Sequence, residues 1–416
     1  MIAPPLITRS TTPMISLLGV CLLPLVAWLF SSNRKAVNPR TVFGAFAIQA
    51  TIGGFVLYVP AGKQIVEVLA IGVSNVLIYS QAGIDFLFGG LVGGSLGFVF
   101  ALNVLPVIVF FSSLITVLYY LGIMDWIVKL IGGFLQKVLG TSRPESLSAA
   151  ANIFIGQTEA PLVVKPFLPK MTDSELFAIM VGGMASIAGS VMAGYAGLGV
   201  DIKYLLAASF MAAPGGLMMA KLVMPETEEP NNDLVTVTSE EDTHVNIFDA
   251  AAAGALTGLQ IALAVGAMLL AFIALIAMLN GILSWFTGLF GVDGVTIEIM
   301  LGYAFQPVAW MLGVPWHEAN TAGSFIGQKL VLNEFVAFVN FADVIDTLTP
   351  KTQAIITFAL CGFANFSSIA ICLGGIGTLA PSRHKDLARL GMKALMAATL
   401  ANLMSAALAG FFLSFG

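Results

Sequence analysis

The stretch Ala150-Ala151-Asn152-Ile153-Phe154-Ile155-Gly156-Gln157-Thr158-Glu159-Ala160-Pro161 decides how this chain folds. It is a polar island in a greasy sequence. Asn152, Gln157, Thr158 and Glu159 can each donate or accept hydrogen bonds, and Glu159 can carry a charge. Gly156 stands where a helix can end and Pro161 where one can begin. Polar side chains at membrane depth are costly and usually mark a working site. The stretch therefore reads as the tip of a hairpin that dips into a bilayer, returns, and holds a solute.

The bilayer itself follows from composition. The chain has 416 residues, of which 58% are hydrophobic and only 10% charged, and its mean hydropathy is +0.94. Soluble domains carry about 25% charged residues. Apolar runs of bilayer length recur, which predicts an all-α integral membrane protein rather than a barrel of short alternating strands. The 43 glycines suit close helix packing and interrupted helices. A net charge of −5 argues against a nucleic-acid partner. Membrane lipid is the expected surroundings. Cys21, Cys361 and Cys372 all lie in apolar runs and read as small core residues. The run Met14 to Phe30 lacks a small-residue cleavage site and reads as a retained span.

About eight spans can be drawn, at roughly 14–31, 42–59, 97–122, 172–199, 202–222, 247–283, 352–379 and 386–415. Between the second and third, Lys63 to Ser80 mixes polar and apolar residues and suits a helix lying along the interface. Two further amphipathic pieces, Trp126 to Leu139 and Glu298 to Val314, precede polar segments too short and too wet to cross, 144–169 and 317–345. These are two re-entrant hairpins, tolerated only where protein or a cavity shields their backbone. Lys and Arg fall mostly on alternate loops, Arg34, Lys35, Arg40, Lys165, Arg383 and Lys393 among them. That bias places both termini outside and multi-pass loops of positive charge inside. The parity then makes the first hairpin enter from the cytoplasm and the second from outside.

The same order of elements, span, amphipathic piece, hairpin, broken span and span, describes both 97–222 and 247–415. An inverted repeat with interrupted helices meeting at mid-membrane is a transporter pattern. The chain divides accordingly into a scaffold part at 1–122, a first transport repeat at 123–222, an acidic cytoplasmic loop at 223–246, a scaffold span at 247–296 and a second transport repeat at 297–416. The loop, with Glu226, Glu228, Glu229, Asp233, Glu240, Glu241 and Asp242, reads as a solvated linker without chemistry.

Four polar clusters fall inside the repeats: Asn152 with Gln157, Thr158 and Glu159; Ser186 to Ser190; Asn333-Glu334; and Asn365 to Ser368. Pseudo-symmetry brings two hairpin tips to face two helix breaks. Ser186, Gly189 and Ser190 weaken a helix, since hydroxyls compete for backbone groups and glycine costs about 1 kcal/mol against alanine. The clusters contain no arginine, so an anionic substrate lacks its usual partner. Amides and carboxylates suit a neutral, hydroxyl-rich or amide-bearing solute instead. Glu334 can accept from a vicinal diol, with Asn365 and Ser368 on one helix face to complete the grip. Gln157 and Thr158 match the edge of a nucleobase, and Phe363 can stack on a flat ring. Each has a plainer reading: Glu334 paired with Lys329, Asn365 and Ser368 joining helices, Gln157 and Thr158 as turn residues, Phe363 as packing, Asn152 as a helix cap.

A cation site is also suggested. Asn152 offers a side-chain oxygen, and unwound backbone near Ile155, Ser186 and Ile187 would expose carbonyls to sodium (Na+). Proton coupling through Glu159 or Glu334 is the alternative. The histidines, His244, His317 and His384, are scattered, and there is no HExxH, Walker A or CxxC motif, so an enzyme is not expected. An intramembrane enzyme using Glu159 and Glu334, or an amino-acid or dicarboxylate carrier, would need separate support.

Three separated motifs carry a family resemblance: Gly156-Gln157-Thr158-Glu159-Ala160-Pro161-Leu162, Asn333-Glu334-Phe335-Val336-Ala337, and Cys361-Gly362-Phe363-Ala364-Asn365-Phe366-Ser367-Ser368-Ile369. With them the sequence resembles the concentrative nucleoside transporters over about 14–415. The resemblance implies secondary active, sodium-driven uptake of nucleosides such as uridine, cytidine and adenosine. It also implies a homotrimer in the bacterial inner membrane, with a mobile transport part moving against a trimeric scaffold by alternating access. Carried onto this chain, it implies that Gln157, Thr158 and Glu159 face the base with Val191 beneath it. Glu334, Asn365 and Ser368 would hold the ribose, and Asn152, Ile155, Ser186 and Ile187 would coordinate sodium. Some members couple to protons, so a proton symporter, or a carrier of another small neutral polar solute, is the alternative.

Overall fold

In the computed structural model, residues 12–92, 99–230, 244–292 and 294–415 are described, and they contain helices and no strand. The chain opens with α1 (Thr12–Leu29), α2 (Pro39–Leu57) and α3 (Pro60–Phe88). The third expected span is α4 (Phe100–Asn103) and α5 (Leu105–Tyr120), offset at Val104 ahead of Pro106. Then come α6 (Ile123–Leu139), α7 (Arg143–Ala151), α8 (Asp173–Ala185), α9 (Gly189–Gly197) and α10 (Ile202–Val223). The second half holds α11 (Ile247–Gly288), α12 (Ile297–Met311), α13 (Trp316–Val331), α14 (Glu334–Ala342), α15 (Pro350–Leu360), α16 (Phe366–Leu379) and α17 (His384–Phe412). Among the described residues seven helices are long and apolar enough to cross a membrane, or eight when a bent pair counts as one. The expected acidic loop falls partly outside the described residues, including Asp233, Glu240, Glu241 and Asp242.

Both hairpins and both interrupted spans form where polar and small residues interrupt the apolar runs. The first hairpin descends as α7, turns through Asn152–Glu159, and returns in tight turns at Ala160–Val164 and Leu168–Lys170 rather than as an α-helix. Pro161, Pro166 and Pro169 remove backbone donors from that return arm, which is why it cannot wind into a full helix. The second hairpin is helical on both sides, α13 and α14, and α13 leaves α12 at 115°. The fourth span breaks at Ser186–Ala188 between α8 and α9; the seventh breaks at Cys361–Asn365 between α15 and α16.

The half-helices have strong starts. Ser142 and Thr172 form capping boxes with Glu145 and Glu175 at α7 and α8. At the membrane-depth starts, Asn333 caps α14 and Asn365 caps α16, each accepting from a backbone N–H three residues on. Lys221 at the end of α10 pairs with Glu145 and donates to Ser174 Oγ at 2.8 Å, tying hairpin base, α8 and α10 together.

Two features of the arrangement bear on the expected organisation. First, α1 and α2, expected with the scaffold, lie against α17 and α10. Gln49 of α2 is fully buried and donates to Ser405 of α17 at 2.9 Å. The counterpart pair is α5 and α11, which lie along one another, with α5 also touching α9. Second, α3 continues through Phe88 and is long and apolar enough to cross, where a shorter interfacial helix was expected. Its Lys63, Gln64 and Glu67 crowd the first turns and mask the apolar run that follows. Cys361 and Cys372 are buried as expected, but Cys21 is exposed. It lies off the Ser16, Val20, Leu23 and Ala27 stripe that α1 buries.

Candidate binding site

The two hairpin tips and two helix breaks converge on one cavity of about 260 Å³. Its lining includes Gln157, Thr158 and Glu159 from the first tip, and Val191 from α9. Asn333 and Glu334 come from the second tip, and Phe363, Asn365 and Ser368 from the second break. All eight residues expected to touch a solute therefore share a cavity. Backbone bonds bind the arrangement together. Gly189 N donates to Phe154 O at 2.9 Å, seating the first tip on the first break, and Phe363 N donates to Ser186 O at 3.1 Å, joining the two breaks. Gly183 of α8 lets the first tip come close, since a Cβ there would lie 2.9 Å from Gln157 Cβ.

The side chains meet across the cavity. Glu334 is buried and its Oε2 accepts from Asn365 Nδ2 at 2.9 Å, while its Oε1 accepts from the Tyr195 hydroxyl at 3.1 Å. Asn365 Oδ1 is meanwhile held by Ser368 N at 2.9 Å as the α16 cap. A carboxylate oxygen has more than one lone pair, so Glu334 keeps acceptor capacity for a ligand. Gln157 Nε2 donates to Ser368 Oγ at 3.3 Å, and the Cys372 thiol donates to Gln157 Oε1 at 3.6 Å. The residues expected to face a base and a sugar thus touch one another, and a ligand entering between them must replace the Gln157–Ser368 contact.

Lys329 lies near enough to Glu334 for the two charges to interact, as the plainer reading allows, but its hydrogen bonds go elsewhere. Its ammonium donates to Ala359 O at 2.8 Å and to Asn402 Oδ1 at 2.6 Å. Asn402 Nδ2 in turn donates to Ala185 O at 2.6 Å and Cys361 O at 3.1 Å. One amide on α17 thereby satisfies the carbonyl ends of both α8 and α15, and the lysine charge stands at the negative end of α15.

Of the four expected ion ligands, Asn152 and Ile155 lie in the first tip and Ser186 and Ile187 in the first break. Asn152 is 1% exposed, and neither its Oδ1 nor its Nδ2 has a hydrogen-bond partner. It lies against Gly182, one turn before Ser186. Ser186 and Ile187 are buried within the first break, and Ile155 follows Asn152 in the tip. An orphaned buried amide is costly unless something completes it, and an unpaired amide oxygen is a ligand type that fits a hard cation. Ser186 O already accepts from Phe363 N but retains a second lone pair.

A larger cavity of about 640 Å³ adjoins the first and shares Gly156, Glu159, Ala188 and Ile261 with it. It runs between the first hairpin and α5, α6 and α11, past Tyr119, Asp125, Lys129 and Arg143. Glu159 stands at the threshold of both.

Tyr195, Cys372 and Asn402 complete the site and were not anticipated. Asn402 is a lone amide in an apolar run, the signal by which it could have been found. Tyr195 and Cys372 carry no such mark, because their partners are fixed only by tertiary contact.

Comparison with known proteins agrees along the whole chain. Family models described as the Na+ dependent nucleoside transporter N-terminus and C-terminus match residues 18–91 and 204–410. One described as nucleoside recognition matches 101–201. The nucleoside permease NupC of Helicobacter pylori is 50% identical, covering 96% of this chain and 97% of its own. The structure of CNTnw in an inward-facing substrate-bound state superposes with a TM-score of 0.94 at 56% identity, over 97% of this chain and 99% of that one. A CNTnw variant in an outward-facing state gives 0.95 at 56% identity, over 98% and 100%.

Proposed function

This chain belongs to the sodium-dependent nucleoside transporter family, and from that premise we propose that it takes up nucleosides by sodium symport. It is a multi-pass membrane protein and not an enzyme. The observation that carries the reading is that both tips meet one helix break: Gln157 of the first tip reaches Ser368, and Glu334 of the second reaches Asn365, around one cavity. That cavity offers amide, hydroxyl and carboxylate groups and no cation, a surface for an uncharged solute with a diol at one end and a ring at the other.

In this reading Glu334, Asn365 and Ser368 hold the ribose. Gln157, Thr158 and Glu159 face the base, above Val191 and beside Phe363. Asn152, with carbonyls of Ile155, Ser186 and Ile187, takes the sodium that travels with the nucleoside. Sodium there ties the first tip to the first break and pre-shapes the base side, so nucleoside affinity rises with sodium. The larger cavity is the route between site and solvent on the side of the first hairpin. Alternating access then moves the repeats, with α1 and α2 attached, against α5 and α11. Uridine, cytidine and adenosine are the expected substrates.

The outward faces of α3 and α11, with exposed Val68, Ile71, Leu263 and Leu270, suit lipid and neighbouring copies. The family reading goes with a homotrimer in a bacterial inner membrane with periplasmic termini, for which these faces supply apolar surface. Radiolabelled uridine uptake into proteoliposomes, with sodium and proton gradients imposed separately, tests the function. Uptake driven by sodium alone is expected. Uptake driven only by protons would replace the ion, and uptake competed by aspartate but not by uridine would overturn the substrate class.

A further inference from the structure

Asn333 and Asn365 are built alike. Each is the residue before a half-helix that starts inside the membrane region, and each lies in the extended backbone of an N-cap. Each commits its Oδ1 to the third N–H of its helix: Asn333 accepts from Val336 N and Asn365 from Ser368 N, both at 2.9 Å. The cap fixes the amide plane, so the Nδ2 group of each points away from its helix. Here the two part. Asn365 Nδ2 donates to Glu334 Oε2 at 2.9 Å. Asn333 Nδ2 has no hydrogen-bond partner, although Asn333 is only 4% exposed and lines the cavity beside Glu334.

A buried amide donor left unpaired is destabilising, and native proteins rarely keep one without a use. The missing partner must be an acceptor, and the helix side is occupied by the cap; the Nδ2 group is covered in this structure, but Asn333 lines the cavity, and a ligand there supplies the acceptor once the tip shifts to uncover it. The neighbouring Glu334 is acceptor-only as a carboxylate. A group bound between Asn333 Nδ2 and a Glu334 oxygen therefore has to accept from one and donate to the other. Among the groups of a nucleoside, a sugar hydroxyl does both through one atom. A ring oxygen or an ether can only accept, and a C–H does neither.

We propose that Asn333 is a specificity residue, its Nδ2 donating to a ribose hydroxyl oxygen whose own proton is given to Glu334. The inference rests on the nucleoside reading of the cavity and adds to it a requirement for a hydroxyl at one sugar position. Loss of that hydroxyl strands two buried groups at once, which is how a site rejects an analogue that lacks a hydrogen-bonding group. Asn365 has no comparable freedom, because its Nδ2 is already engaged with Glu334.

The test is equilibrium binding of uridine, 2′-deoxyuridine and 3′-deoxyuridine to the full-length protein at saturating sodium. Wild type is compared with Asn333→Ser, Asn333→Ala and Glu334→Ala. Serine is a good N-cap, so Asn333→Ser keeps the α14 start while removing the amide donor; alanine removes both. Asn333→Ser is expected to keep the wild-type melting temperature and to weaken uridine binding about five- to tenfold, one neutral hydrogen bond's worth. Against one of the two deoxy analogues its loss should nearly vanish, so that the ratio of uridine to that analogue falls by the same factor. Unchanged uridine affinity in Asn333→Ser, or an equal loss for all three ligands, overturns the proposal. Glu334→Ala separates the two levels. If it abolishes uridine binding while Asn333→Ser changes nothing, only the Asn333 assignment fails. If Glu334→Ala also binds as wild type does, the reading of the cavity fails with it.

Discussion

At the scale of the residue, Glu334 is the group on which most of the site converges. It joins the second tip to α16 through Asn365 and to α9 through Tyr195. Replacing it by alanine removes a charged acceptor and strands two donors. A hydrogen bond to a charged group contributes about 1.5–3 kcal/mol, so Glu334→Ala is expected to weaken nucleoside binding ten- to a hundredfold, read by calorimetry at fixed sodium. Wild-type affinity in that variant would sink the ribose assignment. Asn152 is the complementary case: a buried amide with no hydrogen-bond partner for either of its polar atoms. Asn152→Ala should raise the sodium concentration needed for half-maximal uridine binding while sparing affinity at saturating sodium. An unmoved sodium curve would place the ion elsewhere.

The residue scale is also where sequence was most informative. Glu334, Asn365 and the Gln157-Thr158-Glu159 run stand out because a charged or amide side chain in an apolar context is expensive and conspicuous. Tyr195 was invisible for the opposite reason. Its ring is ordinary core, stacked on Phe338 at 4.2 Å, and only its hydroxyl reveals a role. Asn402 had the right chemistry, yet nothing along one chain says that α17 passes the ends of both α8 and α15.

At the scale of the element, the breaks are the working parts. Their positions were legible because Ser186, Gly189 and Ser190, like Gly362 and Asn365, are poor helix formers set in good helical runs. Their stability depends on Asn402 and Lys329. Gly362 leaves room for Asn402: a Cβ there would meet Asn402 Oδ1 at 2.4 Å and Ala185 O at 2.7 Å. Gly362→Ala is therefore expected to push Asn402 off the two helix ends. Each buried group left without a partner costs about 1–3 kcal/mol, enough to lower the melting temperature by several degrees and to disorder the breaks. A variant with unchanged melting temperature and uptake would show that Asn402 is not the clasp. Helix length was read less well than helix breaks. The early Lys63, Gln64 and Glu67 disguised α3, and three prolines turned the first hairpin's return arm into short turns.

At the scale of the whole molecule, the order of elements suggests an inverted repeat, but the partners of α1 and α2 could not be read from order alone. Hydropathy places a helix in the bilayer without saying which neighbour it packs on. Their contact with α10 and α17 sets them apart from the paired α5 and α11, which are the fixed surface in the proposed mechanism. Gly194 of α9 faces Ile108 of α5, where a Cβ would lie 3.6 Å from the isoleucine side chain. A Gly194→Cys, Ile108→Cys pair, once oxidised, should stop uptake, and reductant should restore it. The pair Gly53→Cys, Met211→Cys, joining α2 to α10, where a Cβ on Gly53 lies 3.1 Å from Met211 Cε, should leave uptake intact. Arrest by the second pair and not the first would put the moving boundary elsewhere.

The claim beneath all of this is that two half-inserted loops, one from each repeat, close on a single nucleoside. The most direct measurement is a cryo-electron microscopy map of the protein with uridine and sodium. The ribose should lie within hydrogen-bond reach of Glu334 and Asn365, and the uracil beside Gln157 and Thr158, with the Gln157–Ser368 contact opened between them. Uridine found instead in the larger cavity beside Asp125 and Lys129, with Gln157 still bonded to Ser368, would contradict it.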